Sequence, residues 1–470
     1  MRYGKTITSR KSSKKTSASY SALQPSRARK ALPWSVVSAD KEFSPGTRNL
    51  AWNSAIDLEQ NFTLPGFAVR THLNFVSAFS FQARTDDDDF NALLEKWMTA
   101  RTGKNSVDIC RRMSLSTMIR TFAGLKVWFG DSAIIKLAGG KLQLIEAWQI
   151  AKGAGAPEAV NDNGLLLDQF GAVDQYAIAR KPEATGELTH ASLVPWADCE
   201  FDGYFTRANQ TRGVSPLMPA INHSRDYLDA VNYHLITSKI AAMFGLVIFR
   251  DHSKKGRHDF DYSQQTAEEQ VEDGPLKYDL KPGLKLELEQ QDKAEFLQSR
   301  TPPAEFLAFG KHLCRLILAA IDLPYSVFDS EAANYSSMRA DWNRYKLSAV
   351  EERTKNQGIL DGCTEHIIRA GIADGSLKLP KKMTLDELDW EWVPTGTFIL
   401  DLSKELDAIL KKIGAGLMTR TAACKELGTG EFRDNAIQLG KEEKILKAAG
   451  VTIQLAQPGA ITSDQGTQQP

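Results

Sequence analysis

The side chains able to do chemistry in this 470-residue chain are scattered, and their spacing excludes most familiar reactions. Gly4-Lys5-Thr6 reads like the end of a phosphate-binding loop, but no glycine stands five positions before Gly4, so the backbone cradle is missing. Asp86 to Asp89 are four consecutive acids. A calcium loop needs spaced ligands and a glycine, whereas acids ahead of a helix favour its dipole, so these are read as structural. His252 and His258 lie six apart in a polar stretch and read as solvated surface rather than a metal pair. The five cysteines, Cys110, Cys199, Cys314, Cys363 and Cys424, are far apart with no CxxC pair. That pattern predicts free thiols in a reducing compartment and no structural zinc. No GxSxG elbow and no metalloprotease His pair occurs, and no two acids can be singled out as a general acid and base. The expectation is a chain that is not an enzyme and uses no cofactor or metal. The alternative is an active site assembled from distant residues.

What remains is a polar segment, IDLPYSVFDSEAANYSSMRADWNR, from Ile321 to Arg344. It carries Asp329, Glu331, Asn334, Tyr335, Ser336 and Ser337. Asn334, Tyr335 and Ser336 can hydrogen-bond phosphate weakly, while Asp329 and Glu331 repel it. Such a mixture touches an anionic chain without arresting it. Lys311 and Arg315, four apart, project together from the preceding helix. They read equally as cations facing an anion or as partners in an inter-subunit ion pair. Arg339 lies one turn into the next helix and reads as a structural group at the base of the loop.

These candidates need elements to hold them. Helices are predicted over Asn49 to Gln60, Phe90 to Ala100 and Val107 to Phe122, with a helix-to-strand passage from Phe67 to Phe81. Ala133 to Leu137 and Leu142 to Ile145 read as strands joined at Gly139-Gly140, with more short strands between Gly164 and Ile178. This predicts an α+β lobe. Pro216 and Pro219 open a helix running to about Phe249, followed by a hydrophilic insertion with a hairpin pattern over residues 276–288. A second helix spans Pro303 to Ile321, with Phe306, Phe309, Leu313, Leu316, Ile317 and Ala320 on one face. Pro324 lies past its end, and Ser336 or Ser337 is expected to cap the long helix that follows to about Ala370. Met338, Trp342, Tyr345, Ala349, Leu360, Cys363 and Ile367 form that helix's apolar stripe, while Glu351 to Gln357 reads as solvated or facing a partner. Three shorter helices are expected over Leu402 to Ile413, Thr419 to Leu427 and Arg433 to Ala449.

Charge is unevenly spread. Residues 1–30 hold nine Lys or Arg and no acid, leaving 49 basic against 58 acidic residues in the remainder. The first stretch reads as a disordered basic tail; its composition also suits an organellar transit peptide, but no amphipathic helix is visible. A net-acidic body is a poor tight binder of duplex DNA, because affinity comes mostly from neutralised phosphates. The longest uncharged apolar run, Ile240 to Phe249, is about half of the roughly 20 residues a bilayer span needs, so no membrane association is expected.

Several short segments resemble the lambda-type portal proteins of tailed bacteriophages. TRNLAWNS, with Arg48, Asn49 and Asn53, resembles that family's opening helix. WFGDS at Trp128 to Ser132, RGVSP at Arg212 to Pro216 and GLMTRTAACKELG at Gly416 to Gly428 resemble later landmarks. LPYSVF…NYSSMRADWNR resembles the family's loop that faces the DNA channel. The resemblance covers roughly Lys41 to Gly450 and implies an α+β, portal-like subunit. Its parts would be a basic tail (1–40), a mixed wing (41–215), a first stem helix (216–250), a clip (251–302) and a second stem helix (303–321). A tunnel loop (322–337), a long helix returning to the wing (338–398), a helical crown (399–456) and a C-terminal tail (457–470) would follow. It further implies a dodecameric ring at one capsid vertex, assembled in the host bacterial cytoplasm, passing double-stranded DNA non-specifically. Implied partners are the terminase large subunit, head-completion or adaptor proteins, and the major capsid or scaffold protein. The missing phosphate loop fits, because the motor ATPase would belong to terminase. Another head–tail adaptor is the alternative within virion structure; adaptors are usually much shorter.

Overall fold

The computed structural model describes residues 37–182, 186–243, 247–249, 293–295, 304–331, 334–381, 383–395, 401–430 and 432–448. The basic tail to residue 36, the 276–288 hairpin, His252, His258 and the 457–470 tail lie outside the described residues.

The described residues open with a short helix α1 (Ala39–Glu42) and then α2 (Pro45–Asn61). Ser44 caps α2, and Pro45 sits at its first turn, where a missing N–H costs nothing. Helix α3 (Thr63–Val76) leads into strand β1 (Phe79–Ala83), the predicted helix-to-strand passage. Asp87 caps α4 (Asp88–Arg101), with Asp88 and Asp89 in its first turn. The acid run therefore starts a helix, as read from sequence. Helix α5 is Leu115–Phe129, capped by Ser114, not the predicted Val107 to Phe122. Asp108 is the reason: its carboxylate accepts the N–H groups of Cys110, Arg112 and Met113 at 2.7–2.9 Å, holding that stretch as a turn. A side chain bonded to nearby backbone competes with a helix in this way.

Strands β2 (Asp131–Leu137) and β3 (Lys141–Glu146) form the predicted hairpin, with Leu137 opposite Lys141. Strands β4 (Leu165–Leu167), β5 (Val173–Arg180) and β6 (Thr189–Pro195) make a second sheet, and β7 (Cys199–Gly203) returns to the far edge of β2. Because side chains alternate across a strand, β2 serves two cores. Ala133 and Ile135 pack toward Tyr176, Ile178 and Val194 of the second sheet. Ile134 packs toward α4 and α5 with Leu94 and Met118.

Helix α6 (Ala220–Met243) ends before the expected Phe249; Val247–Phe249 is instead strand β8, paired antiparallel with β9 (Lys293–Glu295). The insertion between them thus leaves and rejoins the fold at adjacent points. Helix α7 (Ala304–Ala319) lies antiparallel to α6: Tyr227 meets Cys314, while His234 meets Phe306. Its predicted apolar face divides. Leu313 and Ile317 are buried within the chain, but Phe309 and Leu316 are exposed.

Helix α8 (Tyr335–Ala373) has 39 residues, about 58 Å. Its N-terminal part packs Trp342, Tyr345 and Ala349 with α3, α5 and α7; its C-terminal part packs Leu360, Cys363 and Ile367 with α4 and α5. The polar middle is solvated on one side only, where Glu351 and Thr354 are exposed. Glu352 and Asn356 are buried, for reasons given below. Strand β10 (Trp390–Pro394) then pairs antiparallel with β1, from Phe79 opposite Pro394 to Ala83 opposite Trp390. Helices α9 (Leu402–Gly414), α10 (Arg420–Leu427) and α11 (Phe432–Ala448) follow, with Ile409 and Ala423 their buried apolar residues among those described.

Candidate functional site

The loop between α7 and α8 begins with Asp322 in a left-handed conformation and a single 3-10 turn at Tyr325–Val327. Lys311 and Arg315, one helical turn apart on α7, both face it. Lys311 Nζ lies 3.6 Å from the Asp329 carboxylate and 4.0 Å from that of Glu331. The Arg315 guanidinium stacks 5.1 Å from the Tyr325 ring centroid. Tyr325 in turn donates its hydroxyl to Asp329 at 2.9 Å. The Glu331 N–H, the Tyr325 hydroxyl and the Lys311 charge hold Asp329 below the usual carboxylate range. The two cations and two acids singled out from sequence are therefore one cluster within the chain.

Asn334, not Ser336 or Ser337, caps α8. Its Oδ1 accepts the Ser337 N–H at 2.8 Å, and its own N–H donates back to Ser337 Oγ at 3.1 Å. Asparagine reaches the third helical N–H better than a serine already inside the first turn. Ser336, Ser337 and Arg339 are exposed. Tyr335 turns away from the loop: the Lys404 ammonium of α9 sits 4.4 Å from its ring centroid. Residues 332 and 333 lie outside the described residues.

Away from the loop the fold carries a buried ion pair that the sequence reading missed. Arg212, 1% exposed, donates through Nε to Asp131 Oδ2 at 2.7 Å and through Nη2 to Oδ1 at 2.8 Å. Its remaining N–H groups reach the carbonyls of Ile150, Asn163 and Ala147 at 2.6, 3.1 and 2.7 Å. Gly213 N–H also donates to Asp131 at 2.8 Å. Beside it, Gly130 has φ +99° and no room for a side chain: a Cβ there would sit 2.5 Å from the Gly213 carbonyl. Ser215 Oγ donates to Val127 O at 2.6 Å, Trp52 Nε1 to Phe129 O at 2.9 Å, and Arg48 to Asn163 Oδ1 at 2.6 Å. Three of the short segments quoted above, running from Arg48 to Ser215, thus converge at one place. The only hint in the sequence was a glycine beside a charge of opposite sign in WFGDS and RGVSP.

A second polar seam fixes the middle of α8. Buried Lys126 of α5 pairs with Asp202 of β7 and with Glu352, the latter at 2.9 Å. Burial pushes the Glu352 carboxyl up, but Lys126 and Lys355 outweigh it and bring the group below its ordinary value. Asn356 donates to Val76 O at 3.0 Å, and Arg353 to Phe75 O at 3.1 Å. His72 Nδ1 lies 3.0 Å from the Tyr345 hydroxyl, and burial lowers its imidazole to about 4. Among the described residues no three His, Cys, Asp or Glu side chains are grouped as a metal site requires, and no helix is long and apolar enough to cross a membrane.

The family model described as phage portal protein, lambda family, matches residues 26–347. The chain belongs to that family. Its portal segment thus includes the Arg212–Asp131 pair, α6, α7, the polar loop and the first turns of α8. Portal proteins are structural rather than catalytic. No curated protein matches this portal chain. Among solved structures it is similar to a chain of the virion of a native gene transfer agent particle, at 14% identity and TM-score 0.49, over 83% of this chain and 100% of the other. It is also similar to a neck chain of the empty particle computed with C6 symmetry, at 14% and 0.49 over 80% and 94%. A neck chain of the native particle computed with C12 symmetry gives 14% and 0.47 over 83% and 100%.

Proposed function

We propose that this portal protein assembles into a dodecameric ring at one capsid vertex and conducts double-stranded DNA during packaging and ejection. In this reading α6 and α7 are the paired stem helices, residues 251–302 the clip, 322–337 the tunnel loop, residues 41–215 the wing and α9 to α11 the crown. The terminase large subunit docks during packaging, adaptor proteins replace it, and capsid or scaffold protein surrounds the ring, which assembles in the bacterial cytoplasm.

The observation that carries the reading is the polar loop lying within the family match, between two helices with exposed apolar residues. Lys311 and Arg315 neutralise Asp329 and shield Tyr325, so the loop offers phosphate neither a strong grip nor a purely repulsive wall. Outside the first 30 residues the chain is net acidic, which suits sliding rather than binding. The adjacent strands β8 and β9 support a clip that leaves and rejoins the stem at one point. Exposed Leu235, Ile236, Phe309 and Leu316 supply apolar surface for neighbouring copies.

Mass in solution tests the ring. Closed rings run at roughly twelve times the 52.1 kDa subunit, whereas a small symmetric oligomer would sink the reading. Class averages by electron microscopy then count the copies.

A further inference from the structure

Between α6, α7 and the α2–α3 junction lies an open-sided cavity of about 240 Å³, lined by Phe62, Leu64, Leu228, Cys314, Ile317 and Phe328 among others. This is smaller than the ~300–1,000 Å³ typical of sites for drug-sized ligands, and suits a single side chain. Ser224 also lines it. That residue is 1% exposed, and its hydroxyl has no hydrogen-bond partner among the described residues. A buried hydroxyl left unpaired is destabilising, because it has given up its water without gaining a partner. The cavity therefore asks for an apolar body with one polar end.

The same helix offers one. Tyr233 is 69% exposed, the most exposed large apolar or aromatic residue described on α6. Its neighbours Leu235 and Ile236 are also exposed but have no polar end to pair with Ser224. At about 100° per residue, the nine positions from Ser224 to Tyr233 place them on opposite sides of α6. A knob and a hole on opposite faces of one subunit cannot meet within a copy. Between copies such a pair makes a head-to-tail contact, which generates a ring where its rotation closes.

We infer that Tyr233 of one copy seats in the α6–α7 cavity of the next, its ring against Leu228 and Ile317 and its phenol hydrogen-bonded to Ser224 Oγ. The inference rests on the ring reading above. Tyrosine suits this role because it buries a large apolar body and presents a polar tip.

The cavity contains a native reporter, Cys314. In Tyr233→Cys rings, mild oxidation with copper-phenanthroline should give a ladder of covalent oligomers on a non-reducing gel. With the accessible thiols removed throughout by Cys110→Ser and Cys424→Ser, the parent protein should give none, and Tyr233→Cys/Cys314→Ser should lose the ladder. In parallel, urea should dissociate Tyr233→Ala rings well below wild type, with Tyr233→Phe in between because it keeps the ring but not the hydroxyl. Rings of correct mass that give no ladder, a ladder that survives Cys314→Ser, or equal urea midpoints for Ala, Phe and wild type would overturn this contact while leaving the ring intact. A small oligomer by mass would overturn the ring reading and the contact with it. Should Tyr233→Cys itself fail to close rings that Tyr233→Phe forms, the aromatic knob is upheld.

Discussion

Arg212 and Asp131, 81 positions apart, are joined so completely that every N–H of the guanidinium has an acceptor and one carboxylate oxygen takes a further backbone bond. The pair ties the start of β2 to the chain that enters α6. A planar five-donor group is needed for this; an ammonium has three donors and no fixed fork.

Arg212→Lys and Asp131→Asn should each therefore lower subunit stability by about 3–5 kcal/mol, the usual result of breaking one side of a buried pair. Urea unfolding checks it. Gly130→Ala, at φ +99° and against the Gly213 carbonyl, should cost at least about 1–2 kcal/mol. Gly46→Ala, with open space around it, should be close to neutral. A tolerant Arg212→Lys would mean that the hub is not what holds the two segments together.

His72 predicts a pH dependence. Burial holds its folded-state value near 4, with Lys126 adding to the lowering while Glu352 and Asp322 oppose it. The unfolded chain takes up a proton near 6.5, so between those values it binds more protons than the folded chain. Stability then falls as pH falls, by on the order of 2 kcal/mol from pH 7 to pH 5. Glu352, whose folded value is also depressed, adds loss in the same direction but only at lower pH. Urea midpoints for His72→Phe should change less between pH 7 and 5 than for wild type; parallel changes would remove His72 as the cause.

At the loop, Lys311→Gln/Arg315→Gln should leave subunit stability within about 1 kcal/mol, since these contacts are partly exposed. Rings should persist while DNA packaging or retention changes. Deleting residues 330–333 should likewise keep rings but abolish stable packaging. Capsids that fill and hold DNA normally with this deletion would reduce the segment to a connector between two helices.

Leu313 and Ile236 separate folding from assembly. Leu313 is buried within its own chain, so Leu313→Asp should unfold the subunit and cannot report on ring contacts. Ile236 is half exposed on α6, and Ile236→Glu should leave a folded subunit that fails to close rings. Circular dichroism together with mass in solution distinguishes the two outcomes. Rings from Ile236→Glu would take that face out of the interface.

Much of the element plan was legible because it is local. The 3.6 period of α6 and α7, the Gly139-Gly140 hairpin and the apolar stripe of α8 each follow from spacing within one segment. The misread starts were also local in cause. Asp108 bonds its own turn and delays α5, and Asn334 takes the cap assigned to a serine.

The sequence by itself determined the family, the absence of a recognisable catalytic motif, the order of helices around an insertion, and the polar character of the loop. Only the tertiary structure decided what the charges do. Glu352 and Asn356 read as solvated or facing a partner because a single segment carries no record of what crosses it; α3, α5 and β7 pack over them and, with Lys126, make them a buried seam. Lys311 read as facing an anion or a neighbouring subunit because its partners lie beyond a helix end; the loop folds back to pair with it within the chain. Arg212 and Asp131 each sat beside a glycine in separate segments. Their meeting required the close backbone approach that Gly130 and Gly213 permit, a relation between distant parts of the chain that no local pattern encodes.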